Sequence, residues 1–310
     1  MLVELKDKGK IVIRIAISAI LLSFIIYTIG VEKIRDVISH TVLWLFFVAI
    51  LIENIGVVIS AKKWQILLKS KDVEINYSDA ILYYYIGSFF NTMMPSSVGG
   101  DVIKAYKLGK KTNSIEAFSS VVMDRVTGLI AVVLIALFAI ATSHEILPQI
   151  AITLAFILIL CFLVFLLMLF KTDFFEKAAN KLFSRWNKPK KFLQDVISSV
   201  KSYRDKKTLY TAMFISLLFH IMLILNNYIL SLALNLKINI IYFFIFIPIA
   251  EILVALPISI QGFGVRESSY AILFSSIGVS YAAAFSLGFL NQIVKVITSM
   301  IGGIAYVIKK

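Results

Sequence analysis

The sequence predicts an all-α polytopic integral membrane protein. It has six full spans plus two re-entrant broken-helix hairpins that enter from opposite faces and form an inverted repeat. Three observations predict this class. Hydrophobic residues make up 60% of the chain against 16% charged, and mean hydropathy is +0.91, a balance foreign to soluble globular domains. Several apolar runs reach the roughly 20 residues a helix needs to cross a hydrocarbon core. Two stretches at membrane depth are interrupted in the same manner: Asn91 to Lys104 holds Pro95, Gly99, Gly100 and Asp101, and Leu256 to Glu267 holds Pro257, Gly262, Gly264 and Arg266.

Taken in order, residues 1–10 carry Lys6, Lys8 and Lys10, with Arg14 just inside a first span at 11–29. That run is long and lacks a small-residue cleavage site, so it is a retained span rather than a cleaved signal. A short loop is expected from Gly30 to Thr41. The span at 42–68 ends in Lys62, Lys63 and Trp64, an interfacial anchor pattern. Residues 77–94 form a Tyr-rich apolar arm leading into Pro95. Asp101 to Lys111 is its returning half-helix, ending in Lys107, Lys110 and Lys111. A span at 114–141 carries Asp124 and Arg125, and its exit loop, 142–147, has no Lys or Arg. A clean apolar span follows at 148–170.

Residues 171–207 interleave many Lys and Arg with Phe174, Phe175, Phe183, Trp186 and Phe192. This reads as one or two amphipathic helices lying on an anionic leaflet, the alternative being a solvated basic loop. The span at 208–235 carries His220, Asn226 and Asn227. Residues 240–276 hold Pro248, Glu251 and the second break, and 281–308 is the last span, with Lys295 near its middle.

The basic residues orient the chain. With both broken segments returning to the side they entered, most of the 31 Lys and Arg face the cytoplasm, as do both termini; a crossing first segment would put the 171–207 region on the wrong side. The chain is then a single membrane domain, 1–310, with one repeat at about 42–141, a connecting span and basic segment at 148–207, and a second repeat at about 208–308. Because one odd span separates the units, the second is upside down relative to the first. In transporters, that arrangement places the substrate site at mid-depth.

Irregular backbone survives in hydrocarbon only where protein buries it or water reaches it, so the two hairpin tips are expected to meet. A half-helix starting near Gly100 aims free N–H groups and a positive dipole end at the cavity between them. A phosphate suits that environment, with Lys104 and Arg266 as its partners. Glu53, Asp124, Glu251 and Glu267 add acid near the same depth. The competing reading is structural ion pairing of Asp124 or Glu251 with Lys295 or Arg125. His220, Asn91, Asn226 and Asn291 fit interhelical hydrogen bonding, and Gly302 with Gly303 permits helix association.

Cys161 is the only cysteine, which rules out an intrachain disulfide or multi-cysteine metal site. No nucleotide-binding loop, metal constellation or nucleophile elbow is present. No cofactor, metal or catalytic residue is expected, and the net charge of +13 is assigned to membrane-surface loops rather than to nucleic acid.

At Asn91, Pro95, Gly100, Asp101, Lys104 and Tyr106, at Asp124, Arg125 and Gly128, and at Leu256 to Glu267, the chain resembles the lysylphosphatidylglycerol synthase transmembrane family. The resemblance implies a flippase-like domain in the plasma membrane of a prokaryote. It translocates an anionic or phosphate-containing lipid, either an aminoacyl-phospholipid or a polyprenyl-phosphate-linked lipid. Full-length members join this domain to a soluble aminoacyl-transfer domain, for which a chain ending at Lys310 has no room. The implied headgroup residues are Asp101, Lys104, Asp124, Arg125, Arg266 and Glu267, to which depth along the spans adds Glu53, Glu251 and Lys295. The alternative is a membrane-embedded lipid or glycan transferase, with Asp101 or Glu267 as its carboxylate, or an accessory subunit of one. Membrane lipids are the expected partners, with a homodimer or a separate synthase as further possibilities.

Overall fold

The computed structural model describes residues 31–93, 99–143, 145–170, 187–255, 259 and 261–308. The expected span at 11–29, Pro95, Pro257, the first part of the basic segment (171–186) and the terminal Lys309 and Lys310 lie outside the described residues. Among the described residues all regular structure is helical: α1 (Val31–Ser39), α2 (Leu43–Lys69), α3 (Tyr77–Met93), α4 (Gly99–Gly109), α5 (Ser114–Ser143), α6 (Gln149–Phe170), α7 (Asn187–Lys201), α8 (Lys206–Ala233), α9 (Ile240–Ala255), α10 (Val265–Ser275) and α11 (Tyr281–Ile308).

Four of these helices, α2, α5, α8 and α11, are long and apolar enough to cross a membrane. The expected boundaries lie within two residues of the observed ones. The expected loop at 30–41 is instead helical. Its apolar residues Ile34, Val37 and Ile38 recur at the helical period, α1 packs on α11, and the residues just after it meet the far end of α8. There Val42 N–H donates to the Ala233 carbonyl at 2.7 Å and Asn235 Nδ2 to the His40 carbonyl at 3.1 Å.

The centre of the molecule is the antiparallel pair α2 and α8. Ala49, Glu53, Gly56, Ser60, Lys63 and Leu67 follow one another at steps of four and three along α2. Ala212, Ser216, Phe219, Leu223, Asn226, Leu230 and Ala233 do the same along α8. This spacing keeps one seam facing the partner over the whole length, and its small residues let the backbones approach closely. A Cβ on Gly56 would sit 3.1 Å from the Phe219 ring. The opposite faces are large and apolar: Phe47 and Leu51 on α2 and Phe214 and Leu218 on α8 are exposed. A surface of that kind is unsustainable in water and ordinary in lipid. Trp44, Tyr210 and Tyr281 stand exposed at helix ends, where amphipathic rings occupy the membrane interface.

Two pairs of shorter helices fold back on themselves. In the first, α4 returns along α3. Gly100 lies so close to Gly87 that a Cβ would fall 1.7 Å from its carbonyl oxygen, and Lys104 Cβ lies 3.5 Å from the Cβ position of Gly87. In the second, α10 returns along α9. Gly262 abuts Val254, Arg266 reaches Glu251 at 3.4 Å, and Phe274 packs tilted against Phe243 and edge-on against Phe246. The turn before α10 needs left-handed backbone at Gln261, Gly262 and Gly264, with φ of 46°, 80° and 81°, which glycine adopts without steric cost. Glu267 Oε2 accepts from the Gly264 N–H at 2.7 Å, closing the helix start in the manner of a capping-box glutamate. The packing is reciprocal: α3 lies on α11, and α9 lies on α5.

Candidate functional site

The charged residues expected to form the site separate into two clusters. The first knits α2, α3, α4, α5 and α8 together. Asp124 on α5 receives Lys63 Nζ at 2.9 Å, Lys104 Nζ at 3.4 Å and the Tyr84 hydroxyl at 2.5 Å. Lys63 Nζ also donates to the Asp124 carbonyl at 2.9 Å and to Ser216 Oγ at 3.1 Å. Lys104 lies 3.5 Å from Asp101 and stands over the Tyr84 and Trp64 rings at 3.9 and 4.7 Å, so ring quadrupoles share in solvating it. Asp101 in turn takes Arg125 Nε at 2.5 Å. Lys63, Lys104 and Asp124 are all buried. Charges buried this deeply persist only when paired and hydrogen-bonded, and these are.

This corrects the reading of Lys63 and Trp64 as interfacial anchors. Trp64 is fully buried and donates to Ser120 Oγ at 2.9 Å, and Lys63 is an inward-facing ion-pair partner. The expected free N–H of Gly100 is also taken, by Asn91 Oδ1 at 2.8 Å. Asn91 therefore caps α4 from the end of α3.

The second cluster borders a cavity of about 180 Å³. Glu251 Oε1 answers two cations, Lys295 Nζ at 3.0 Å and Arg266 Nη2 at 3.4 Å. Arg266 Nη1 donates to Gln292 Oε1, and Gln292 Nε2 lies 3.4 Å from Gln261 Oε1. Glu53 accepts from Asn226 Nδ2 at 3.3 Å. Around the cavity stand Glu53 from α2, Ser88 and Asn91 from the end of α3, Gln261 and Arg266 from the second turn, and Lys295 from α11. Ends of both folded-back pairs thus border one polar space. Glu267 is fully buried and capping, and Asp101, Lys104, Asp124 and Arg125 belong to the first cluster. His220 hydrogen-bonds the Ser216 carbonyl at 2.8 Å, and among the described residues no His, Cys, Asp and Glu group suited to a metal occurs.

Sequence reasoning missed Lys63, Tyr84, Gln261 and Gln292. Lys63 carried a usable signal, its place in the four-three spacing of Gly56 and Ser60. Gln292 carried another, since it precedes Lys295 by three residues and so shares its helix face.

Fold and clusters define a helical membrane protein built around two folded-back helix pairs and a buried charged cavity. Within that class, the chain belongs to the family described as the lysylphosphatidylglycerol synthase TM region, whose sequence profile matches residues 11–303. It is similar to UPF0104 membrane proteins of archaea. The one from Methanocaldococcus jannaschii is 26% identical over 97% of this chain and 95% of that protein. The one from Pyrococcus horikoshii is 24% identical over 94% of each. A third, from Methanothermobacter thermautotrophicus, is 27% identical over 39% of this chain and 36% of its own length. No solved structure matches.

Proposed function

We propose that the chain is a lipid translocase that receives a phosphate-bearing headgroup in the cavity between its two folded-back helix pairs and passes it between leaflets. The observation that carries this reading is that Arg266 and Lys295, which both border a cavity of about 180 Å³, share one carboxylate, Glu251. A cavity of that size accommodates a phosphate and its immediate substituents, while acyl chains stay in the bilayer. Headgroup entry is then an anion exchange: the phosphate takes Arg266 and Lys295 from Glu251. Arg266 supplies the planar fork and Lys295 the point charge. Glu53 and the released Glu251 face any amine the headgroup carries. The family's description names lysylphosphatidylglycerol, whose headgroup has both signs of charge, and this supports an aminoacylated or otherwise phosphate-linked lipid as the substrate class.

The topology proposed with it is re-entrant. Each folded-back pair is a hairpin that enters and leaves on one side, and the two belong to inverted halves, α2 to α5 and α8 to α11. Support comes from the matched helix lengths, 27, 17, 11 and 30 residues against 28, 16, 11 and 28, and from the reciprocal packing of α3 on α11 and α9 on α5.

The test is transbilayer movement of a fluorescent anionic phospholipid in proteoliposomes. Lys295→Gln and Arg266→Lys each slow it by roughly ten- to a hundredfold, the cost of a lost charge-assisted hydrogen bond. Movement at the wild-type rate in both folded variants contradicts the proposal.

A further inference from the structure

A second groove, of about 500 Å³, lies on the outer flank of the first folded-back pair, away from the charged cavity. Its floor is apolar, formed by Leu82, Ile86 and Phe90 of α3, Ile103 of α4 and Tyr306 of α11. Its rim is basic. Lys107 stands over the Tyr306 ring at 4.1 Å, Lys110 over Tyr106 at 4.6 Å and Lys111 over Tyr83 at 6.0 Å. Against these three cations the groove holds one carboxylate, Asp79.

The location of the groove identifies its solvent. Val102 and Tyr106 on α4 are exposed at 47% and 55%, and Ile304 and Val307 near the end of α11 at 63% and 71%. An exposed apolar belt that ends in a row of lysines and tyrosines is the profile of a leaflet boundary, with hydrocarbon on one side and headgroups on the other. The groove runs across that boundary. Greasy below and cationic above, it matches the two ends of one molecule.

We infer that this groove is a binding site for a single anionic phospholipid, its phosphate among Lys107, Lys110 and Lys111 and an acyl chain along Ile86, Phe90 and Ile103. Charge complementarity selects an anionic headgroup, because lysines near a membrane surface attract acidic lipid additively. The apolar floor selects a lipid over a free anion. A lipid seated here touches α3, α4 and α11 at once and braces the first folded-back pair against the last long helix. The site stands independently of the translocase reading, since none of these residues borders the charged cavity.

The experiment is native mass spectrometry of the full chain, released from neutral detergent and titrated with phosphatidylglycerol or with phosphatidylcholine. The wild-type chain holds one phosphatidylglycerol tightly and shows no comparable phosphatidylcholine. The triple variant Lys107→Gln, Lys110→Gln, Lys111→Gln binds that lipid about a hundredfold more weakly. Ile103→Trp, which keeps every charge and fills the floor, weakens it as well. Arg266→Lys leaves it in place, which separates this site from the cavity. Undiminished binding in the triple variant or in Ile103→Trp overturns the inference. So does competition by inorganic phosphate at equal concentration, which would mark a free-anion site.

Discussion

Lys63 and Asp124 illustrate how a single ion pair can organise a membrane interior. Asp124 accepts two ammonium groups and a phenol, all within the protein, so each charge is stable only while the others remain. Asp124→Ala takes the carboxylate from buried Lys63 and leaves Lys104 to Asp101, and destabilises the fold by about 3–5 kcal/mol, read as a lowered Tm in detergent; a shift of under a degree would show the cluster to be solvated. At the membrane surface Asp205 behaves differently. The Thr208 hydroxyl and the Thr208 and Lys207 amides hold its carboxyl below the ordinary carboxylate range. Its contribution to the start of α8 is present above about pH 4 and is lost as pH falls through the lowered pKa. Asp205→Ala therefore lowers the Tm at pH 7 and leaves it unchanged once the pH is well below the lowered pKa, and an equal loss at both would contradict the cap. Glu251 with Lys295 is one of the pairs that the competing ion-pair reading of the sequence leaves open, because charges inside apolar runs must find one another. Lys63 reads as a surface lysine because it follows Lys62 at the end of a run, although its four-three spacing from Gly56 and Ser60 sets it on the inward seam.

At the scale of elements, close backbone contact replaces the hydrophobic effect as the adhesive, since lipid is as apolar as the protein it surrounds. A Cβ on Gly302 would lie 1.9 Å from the Tyr85 carbonyl oxygen, and one on Gly303 would lie 2.6 Å from the Phe89 ring. The pair whose sequence permits helix association is spent within the chain, on α3. Gly302→Ala must push α11 off α3 and costs on the order of 1–3 kcal/mol. Gly128→Ala, whose nearest neighbours would be 3.7 and 3.9 Å away, stays within about 0.5 kcal/mol. Equal Tm values for the two variants would contradict this packing. The four long spans α2, α5, α8 and α11 were legible from hydropathy, and the interruptions between α3 and α4 and between α9 and α10 from Gly and Pro. The short α1 was not: its nine residues carry mixed charges, and it packs on α11.

For the whole molecule, the decisive issue is which ends share a side. Glu74 and Thr112 border one groove of about 680 Å³, and Lys71 reaches the Ser199 carbonyl of α7 at 2.9 Å, whereas His40 and Asn235 meet at the other end of the α2–α8 pair. In a Cys161→Ser background, Glu74→Cys, Thr112→Cys and Arg204→Cys are expected to react with an impermeant thiol reagent from one side of the membrane and His40→Cys and Asn235→Cys from the other. Labelling of Glu74→Cys and Thr112→Cys from opposite sides would mean that the first folded-back pair crosses. Lysine counting in the sequence gives the arrangement that this labelling tests. The division of charges into two clusters does not follow from counting, because depth along a span does not say which way a helix face points.

The central claim is that a phosphate-bearing lipid headgroup sits where the two folded-back pairs border one charged cavity. A photo-reactive benzoylphenylalanine at position 88, irradiated in native membranes and analysed by mass spectrometry, tests it most directly, because Ser88 borders the cavity beside Asn91 and Arg266. The account predicts one predominant phosphate-containing lipid adduct that falls sharply when Arg266→Lys is added. Adducts that mirror the bulk lipid composition and ignore Arg266→Lys would contradict it.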